Sequence, residues 1–253
     1  MLAQLKMELE NNAVNYKMSS NLQGVIFENT ASDYVEEMHK SQLHPYSQCV
    51  TNENGKTVWY VRTMTREAYE KIIIPLLSDK FQRIVIKDGQ VNSNITRKTL
   101  VTEDREELMK EFYQGKGASY VNLEFQTATA FRQRGKNVIF PDMKLLYQSL
   151  MNKYSASSET LEMSDDETLD LLVTNSEIVQ YHLQSVKFPM EGILIPGFKG
   201  SIAIRLGGTD MMKRYARLLF RFGEYSGVGM KTARGMGAIN RIEWRGKSGR
   251  TKD

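Results

Sequence analysis

The chain has 253 residues, 41% of them hydrophobic, with one cysteine, Cys49, and a formal charge of +4. Such a length suits one large domain or two small ones, the apolar content excludes a disordered chain, and a lone cysteine excludes an internal disulfide framework. No stretch reaches the roughly 18 apolar residues of a membrane span and the N-terminus does not read as a signal peptide, so a cytoplasmic protein is expected.

Charge is unevenly spread. From Lys199 to Asp253 there are thirteen Lys and Arg against four Asp and Glu, which leaves the first 198 residues net acidic. A basic C-terminal sector on an acidic body is the footprint of a polyanion binder, or else a solvated basic tail, since "RGKSGRTKD" has little to pack.

In chain order, "LAQLKMELEN" alternates apolar and polar residues and predicts a half-buried strand. "NLQGVIFENTASDYVEEMHK" predicts one helix. "YSQCVT" and "TVWYVRTMT" predict strands around the turn "NENGK". "REAYEKIIIPLLS" predicts a second helix and "RIVIKDG" a strand. The second half repeats this order. "SYVNLEFQTATAFR" is a strand, and "DMKLLYQSLMNKYSA" a helix opened by Pro141 and Asp142. "IVQYHLQSVKF" and "ILIPGFKGSIAIRL" are strands, "TDMMKRYARLLFRFG" is a helix ending on Gly223, and "GAINRIEW" is the last strand. Two βαββαβ units predict an α+β protein of tandem ferredoxin-like domains, the fold of RNA recognition modules. The boundary falls between Val101 and Ala118, placed at 115/116, giving domains 1–115 and 116–253. The acidic run "SSETLEMSDDETLDLL" reads as an insertion between helix and strand.

The segment "FGEYSGVGMKTARGMGAINRIEW" sets Lys231, Thr232 and Arg234 among Gly227, Gly229, Gly235 and Gly237. A P-loop needs glycine directly before its lysine, and Met230 stands there. A dinucleotide fingerprint needs a third glycine where Thr232 stands. Both motifs also need a strand before the glycines and a helix after them, whereas here the helix comes first. What remains is a loop whose glycine N–H groups approach a nucleic-acid backbone while Lys and Arg supply charge, or a turn that serves tight packing alone.

The segment "GEYSGVGMKTARGMGAI" is similar to the C-terminal glycine-rich motif of CRISPR-associated endoribonucleases of the RAMP superfamily, which cut repeat RNA into guides. "IPGFKGSIAIRL", "VNLEFQTATAFRQRGKNVIFPD" and "LQGVIFENTASDYVEEMH…HPYSQ" extend the resemblance over most of the chain. It implies tandem ferredoxin-like domains and a partner that is CRISPR repeat RNA or crRNA. The protein would be a monomer or homodimer, alone or in an effector complex. It further implies a catalytic histidine at the C-terminal end of the first helix, the place of His39, with Lys40 beside it. Some members carry a tyrosine in the first helix, where Phe27 stands here. The alternative is a non-cleaving RAMP subunit that grips repeat RNA.

The chemistry fits the residues available. His39 and His44 are five apart, and His182 lies in a predicted strand, where a structural role is expected. Neither zinc spacing nor a carboxylate cluster is present, so no metal and no cofactor are expected. RNA carries its own nucleophile, the 2′-hydroxyl, and histidine suits the general base or acid because its ordinary pKa of about 6.5 lies near working pH. His39 is the first candidate, and His44, set before Pro45, is the second. Lys40 is placed to stabilise charge. Lys231, Thr232 and Arg234 are expected to position RNA, followed by Arg132 and Arg134 in "AFRQRGK" and Lys199 in "GFKGS".

Overall fold

The computed structural model describes residues 1–41, 43–86, 91–115, 117–158 and 165–243. In chain order the first half runs β1 (Leu2–Leu9), α1 (Ser19–Glu28), α2 (Ser32–Lys40), β2 (Tyr46–Glu53) and β3 (Lys56–Thr63). It continues with α3 (Arg66–Ala68), α4 (Ile74–Leu77), β4 (Arg83–Ile86) and β5 (Val91–Glu103). After α5 (Arg105–Gln114) come β6 (Tyr120–Thr129), β7 (Phe131–Gln133), β8 (Lys136–Val138), α6 (Met143–Ala156) and α7 (Asp166–Thr174). The chain closes with β9 (Ser176–Met190), β10 (Ile193–Leu206), α8 (Asp210–Ser226) and β11 (Ile239–Arg241). The basic tail 245–253, Trp244, residues 87–89 of "RIVIKDG" and residues 159–164 of the acidic run lie outside the described residues.

Among the described residues two large antiparallel sheets, ordered β2-β3-β1-β5-β4 and β11-β6-β10-β9, are each backed by helices, and β7 and β8 pair as a separate two-stranded sheet. This is the expected α+β pair of ferredoxin-like units, with differences at particular elements. The strand that docks beside β1 is β5, pairing from Leu2 with Glu103 to Leu9 with Ile95, and "RIVI" is an added edge strand paired with it. Along β5 only Ser93 and Ile95 are buried, so its period-two apolar signal is weak.

The expected first helix is two. Asn29 and Thr30 turn their side chains back onto the carbonyls of Val25 and Ile26, at 2.9 and 2.8 Å, closing α1 before α2 begins. Between α3 and α4 a π-helical turn (Tyr69–Ile73) precedes Pro75, whose missing N–H cannot close an α-helical bond. Helix α5 lies ahead of the expected boundary, yet its Leu108 joins the core of the second half. The acidic run is partly helix α7, which buries Leu169 and Leu172. Helix α8 runs through Gly223 to Ser226 and is capped by Gly227 at φ +62°; Gly223 is a packing glycine, since a Cβ there would press on the side chains of Ile239 and Leu150 at 2.7 and 2.9 Å.

Candidate active site

Helix α2 buries Tyr34 and Met38 and leaves His39 and Lys40 exposed in its last turn, where the carbonyl ends favour a cation. The His39 ring meets Phe27 of α1 edge-on, with centroids 5.2 Å apart. His44 lies between α2 and β2, its ring tilted against Tyr46 at 5.7 Å. Its Nδ1 is buried and has no hydrogen-bond partner among the described residues. Burial lowers the His44 pKa below its ordinary value, and the charges of His39, Arg234 and Lys231 lower it further. The first half of the chain and the glycine-rich loop meet beside it in one site, where β2 packs on the Thr232–Arg234 turn. Tyr46 closes its floor; burial raises its pKa, and its hydroxyl accepts from Gln23 Nε2 at 3.0 Å.

The loop is densely packed. Val228, Ala233, Met236 and Ala238 each enter a different apolar cluster, and Ala233 belongs to the core of the first half. Fully burying a side chain the size of Val or Met contributes roughly 1.5–3 kcal/mol, enough to hold a segment without regular structure. Gln48 of β2 donates to the carbonyls of Ser19 and Ala233, at 2.8 and 3.1 Å.

The glycines serve this packing. The N–H groups of Gly227, Gly229, Gly235 and Gly237 donate to Gly223 O, Ser149 Oγ, Thr232 O and Ala128 O respectively. Gly237, at φ +71°, leaves no room for a Cβ against the Val228 carbonyl, and Gly229 leaves none against Ala130. Thr232 is likewise turned inward: it is buried, and its hydroxyl faces Lys153 Nζ at 3.2 Å.

The cations divide by place. Lys231, in a left-handed backbone conformation, is exposed at the loop tip. Arg234 is half-buried and donates to Glu191, in the β9–β10 turn, at 2.7 Å. Arg132 and Arg134 are exposed on the β7–β8 hairpin, whose root is tied to the loop by Met230 N donating to Ala130 O at 3.0 Å. Lys199 stands apart with Lys187, in an open cleft of about 710 Å³ between β2 of the first half and β6, β9 and β10 of the second. His182 lies in a strand as expected, exposed on the edge strand β9.

Over 220 residues the chain is 33% identical to the CRISPR-associated endoribonuclease Cas6 of Streptococcus thermophilus, covering 85% of this chain and 88% of that relative. The chain belongs to the Cas6 family. The family model for the CRISPR-associated endoribonuclease Cas6 matches residues 123–239, from β6 through the loop into β11. The Cas6 of Mycobacterium tuberculosis is 30% identical over 223 residues, 88% of this chain and 71% of that one. A solved Cas6 product complex superposes with a TM-score of 0.79 over 96% of this chain and 99% of that chain, at 18% identity, and so shares the fold.

Sequence reading missed Lys153 of α6, and with it Gln48 and Glu191. Lys153 is buried, and it donates to Ser226 O at 3.3 Å and Gly227 O at 3.1 Å as well as to Thr232. The signal was available, because Lys153 interrupts the apolar stripe that Leu146 and Leu150 form at helical spacing, seven residues after one and three after the other.

Proposed function

We propose that this Cas6-family chain is a metal-independent endoribonuclease that cuts CRISPR repeat RNA into guide crRNAs. The 2′-oxygen next to the cut attacks the phosphorus and the bond to the 5′-oxygen breaks. A base takes the 2′-proton, and an acid supplies one to the departing 5′-oxygen. The products are a 2′,3′-cyclic phosphate and a 5′-hydroxyl. His39 carries the principal proton transfer and His44 is the second participant, its lowered pKa keeping it neutral and able to accept a proton. Lys231 and Arg234 position the phosphates, Arg132 and Arg134 extend the basic surface, and Lys40 adds charge beside His39.

One observation carries this reading: β2, into which His44 leads, is tied to the loop that bears Lys231 and Arg234 by Gln48 Nε2 donating to Ala233 O at 3.1 Å. Among the described residues no three His, Cys, Asp or Glu side chains gather to hold a metal. A second reading, a non-cleaving RAMP subunit, is favoured by Phe27, whose ring on His39 has no hydroxyl to share a proton. Incubation with the cognate repeat in EDTA, followed by analysis of the product ends, separates them. Cyclic phosphate and 5′-hydroxyl ends are expected. A strict Mg²⁺ or Mn²⁺ requirement, or 5′-phosphate ends, would defeat the mechanism, and intact RNA bound without cleavage would favour the second reading.

A further inference from the structure

Lys153 is buried where α6 passes beneath the glycine-rich loop, and no described carboxylate pairs with its ammonium. An ammonium has three N–H donors, and here they meet three acceptors: Ser226 O, Gly227 O and Thr232 Oγ1. Ser226 and Gly227 are where the loop leaves α8, and Thr232 begins the single 3-10 turn (Thr232–Arg234) that follows Lys231. The ammonium thus ties the start of the loop to its middle, with Lys231 directly before Thr232 and Arg234 two residues after it. A buried charge without a carboxylate is costly unless all its donors are used, so an ordinary core would place an apolar residue here. The charge makes physical sense if it holds the loop in one arrangement.

We propose that Lys153 is the positioning residue of the RNA-binding loop: by donating to both parts of the loop it holds Lys231 and Arg234 on the side where His39 and His44 stand. The device is sensitive to pH. Burial lowers the Lys153 pKa to about 7, and burial is the sole cause of the shift. The ionisable groups on the surrounding elements do not set it; these are Tyr154 on α6, Glu224 and Tyr225 on α8, Tyr46 on β2, and Lys231 and Arg234 on the loop. As pH rises through 7 the group loses a proton, and with it one donor and the positive charge. The two remaining N–H groups keep Ser226 O and Gly227 O, and the lone pair accepts from the Thr232 hydroxyl, so three charge-assisted bonds become weaker neutral ones and the loop loosens. As pH falls below 7 the tie is complete.

The proposal rests on the RNA-cleaving reading only for what the loop grips, so its test has one arm without RNA. In that arm, amide hydrogen exchange of residues 227–237 is followed between pH 6 and 8.5. Relative to intrinsic rates, protection in the wild type should fall across pH 7, whereas in Lys153→Met it should be low throughout. In the second arm, repeat RNA made uncleavable by a 2′-deoxy substitution is titrated over the same pH range. Lys153→Met should bind roughly tenfold or more weakly at pH 6.5, the scale expected for losing charge-assisted hydrogen bonds. It should also lack the decline in affinity that the wild type shows towards pH 8.5. Lys153→Gln keeps two donors without charge, so it should restore part of the affinity and none of the pH dependence; it stands in if the Met variant does not fold. Wild-type protection, affinity and pH profile in these variants would overturn the proposal. If the wild type shows no preference for repeat RNA, the functional reading fails while the exchange arm still decides the role of Lys153.

Discussion

The side-chain amide of Gln48 in β2 reaches the carbonyl of Ala233 in the glycine-rich loop, 185 residues further along the chain, at 3.1 Å. The same nitrogen donates to Ser19 O at 2.8 Å, and its oxygen accepts from Trp59 Nε1 at 2.7 Å. Gln48 is 1% exposed, so each of these partners depends on it. Replacing Gln48 with Leu should cost about 1–3 kcal/mol, because buried donors and acceptors lose their partners. It should also weaken repeat-RNA binding, since the loop loses its tie to the histidine half. Denaturant unfolding beside equilibrium binding checks both effects, and a variant of wild-type stability would show that the bond is incidental.

His39→Ala should slow cleavage by roughly 10²- to 10⁴-fold while leaving repeat binding nearly unchanged, because a proton-transfer group acts on the transition state. His44→Ala should cost a similar factor if the two share acid and base duties, and less if His44 only orients the segment before Pro45. A 2′-deoxy substitution at the scissile nucleotide should stop the wild type completely. Single-turnover rates for each variant provide the measurement, and a His39→Ala enzyme cutting at the wild-type rate would move the assignment to His44.

Lys231 and Arg234 should differ in their share of the salt dependence. Lys231 is exposed, and Lys231→Asn, which suits its left-handed backbone, should lower the slope of log affinity against log salt by about 0.7–0.9. Arg234→Ala should lower it less, because Arg234 already donates to Glu191 and must trade that carboxylate for a phosphate. Glu191→Gln should therefore tighten binding. Filter binding across a salt series tests all three, and an unchanged slope in Lys231→Asn would leave the loop with a packing role only.

Gly237→Ala should destabilise the fold by about 1–3 kcal/mol through overpacking alone, since the added Cβ collides with the Val228 carbonyl. Gly135→Ala is the matched control. Its φ of +77° is similar, but nothing lies within 4 Å of its Cβ, so it should cost only the left-handed penalty of about 1–2 kcal/mol. Equal losses in thermal unfolding would mean that backbone strain, not packing, accounts for the glycine at 237.

Strand and helix order followed from local pattern, because alternation and helical spacing are properties of neighbouring residues. "ILIPGFKGSIAIRL" is β10 to the residue, and Asp142 caps α6 through its bond from Leu145 N at 2.9 Å. His39 could be located by its place at a helix end. The break at Asn29 and the polar strand β5 were illegible because side-chain hydrogen bonds and pairing with β1, not apolar period, determine them. The glycine-rich loop marks the limit most clearly. Its sequence shows five glycines and a few cations, and both a phosphate cradle and a packing turn fit that pattern. Only the folded chain, with Ala233 in the opposite core and Lys153 beneath Thr232, shows the glycine N–H groups already bonded within the protein and Lys231 left exposed at the loop tip. Contacts between residues 79 to 185 positions apart carry no local signal, so the docking of the loop on β2 and over Lys153 was decided by tertiary structure alone.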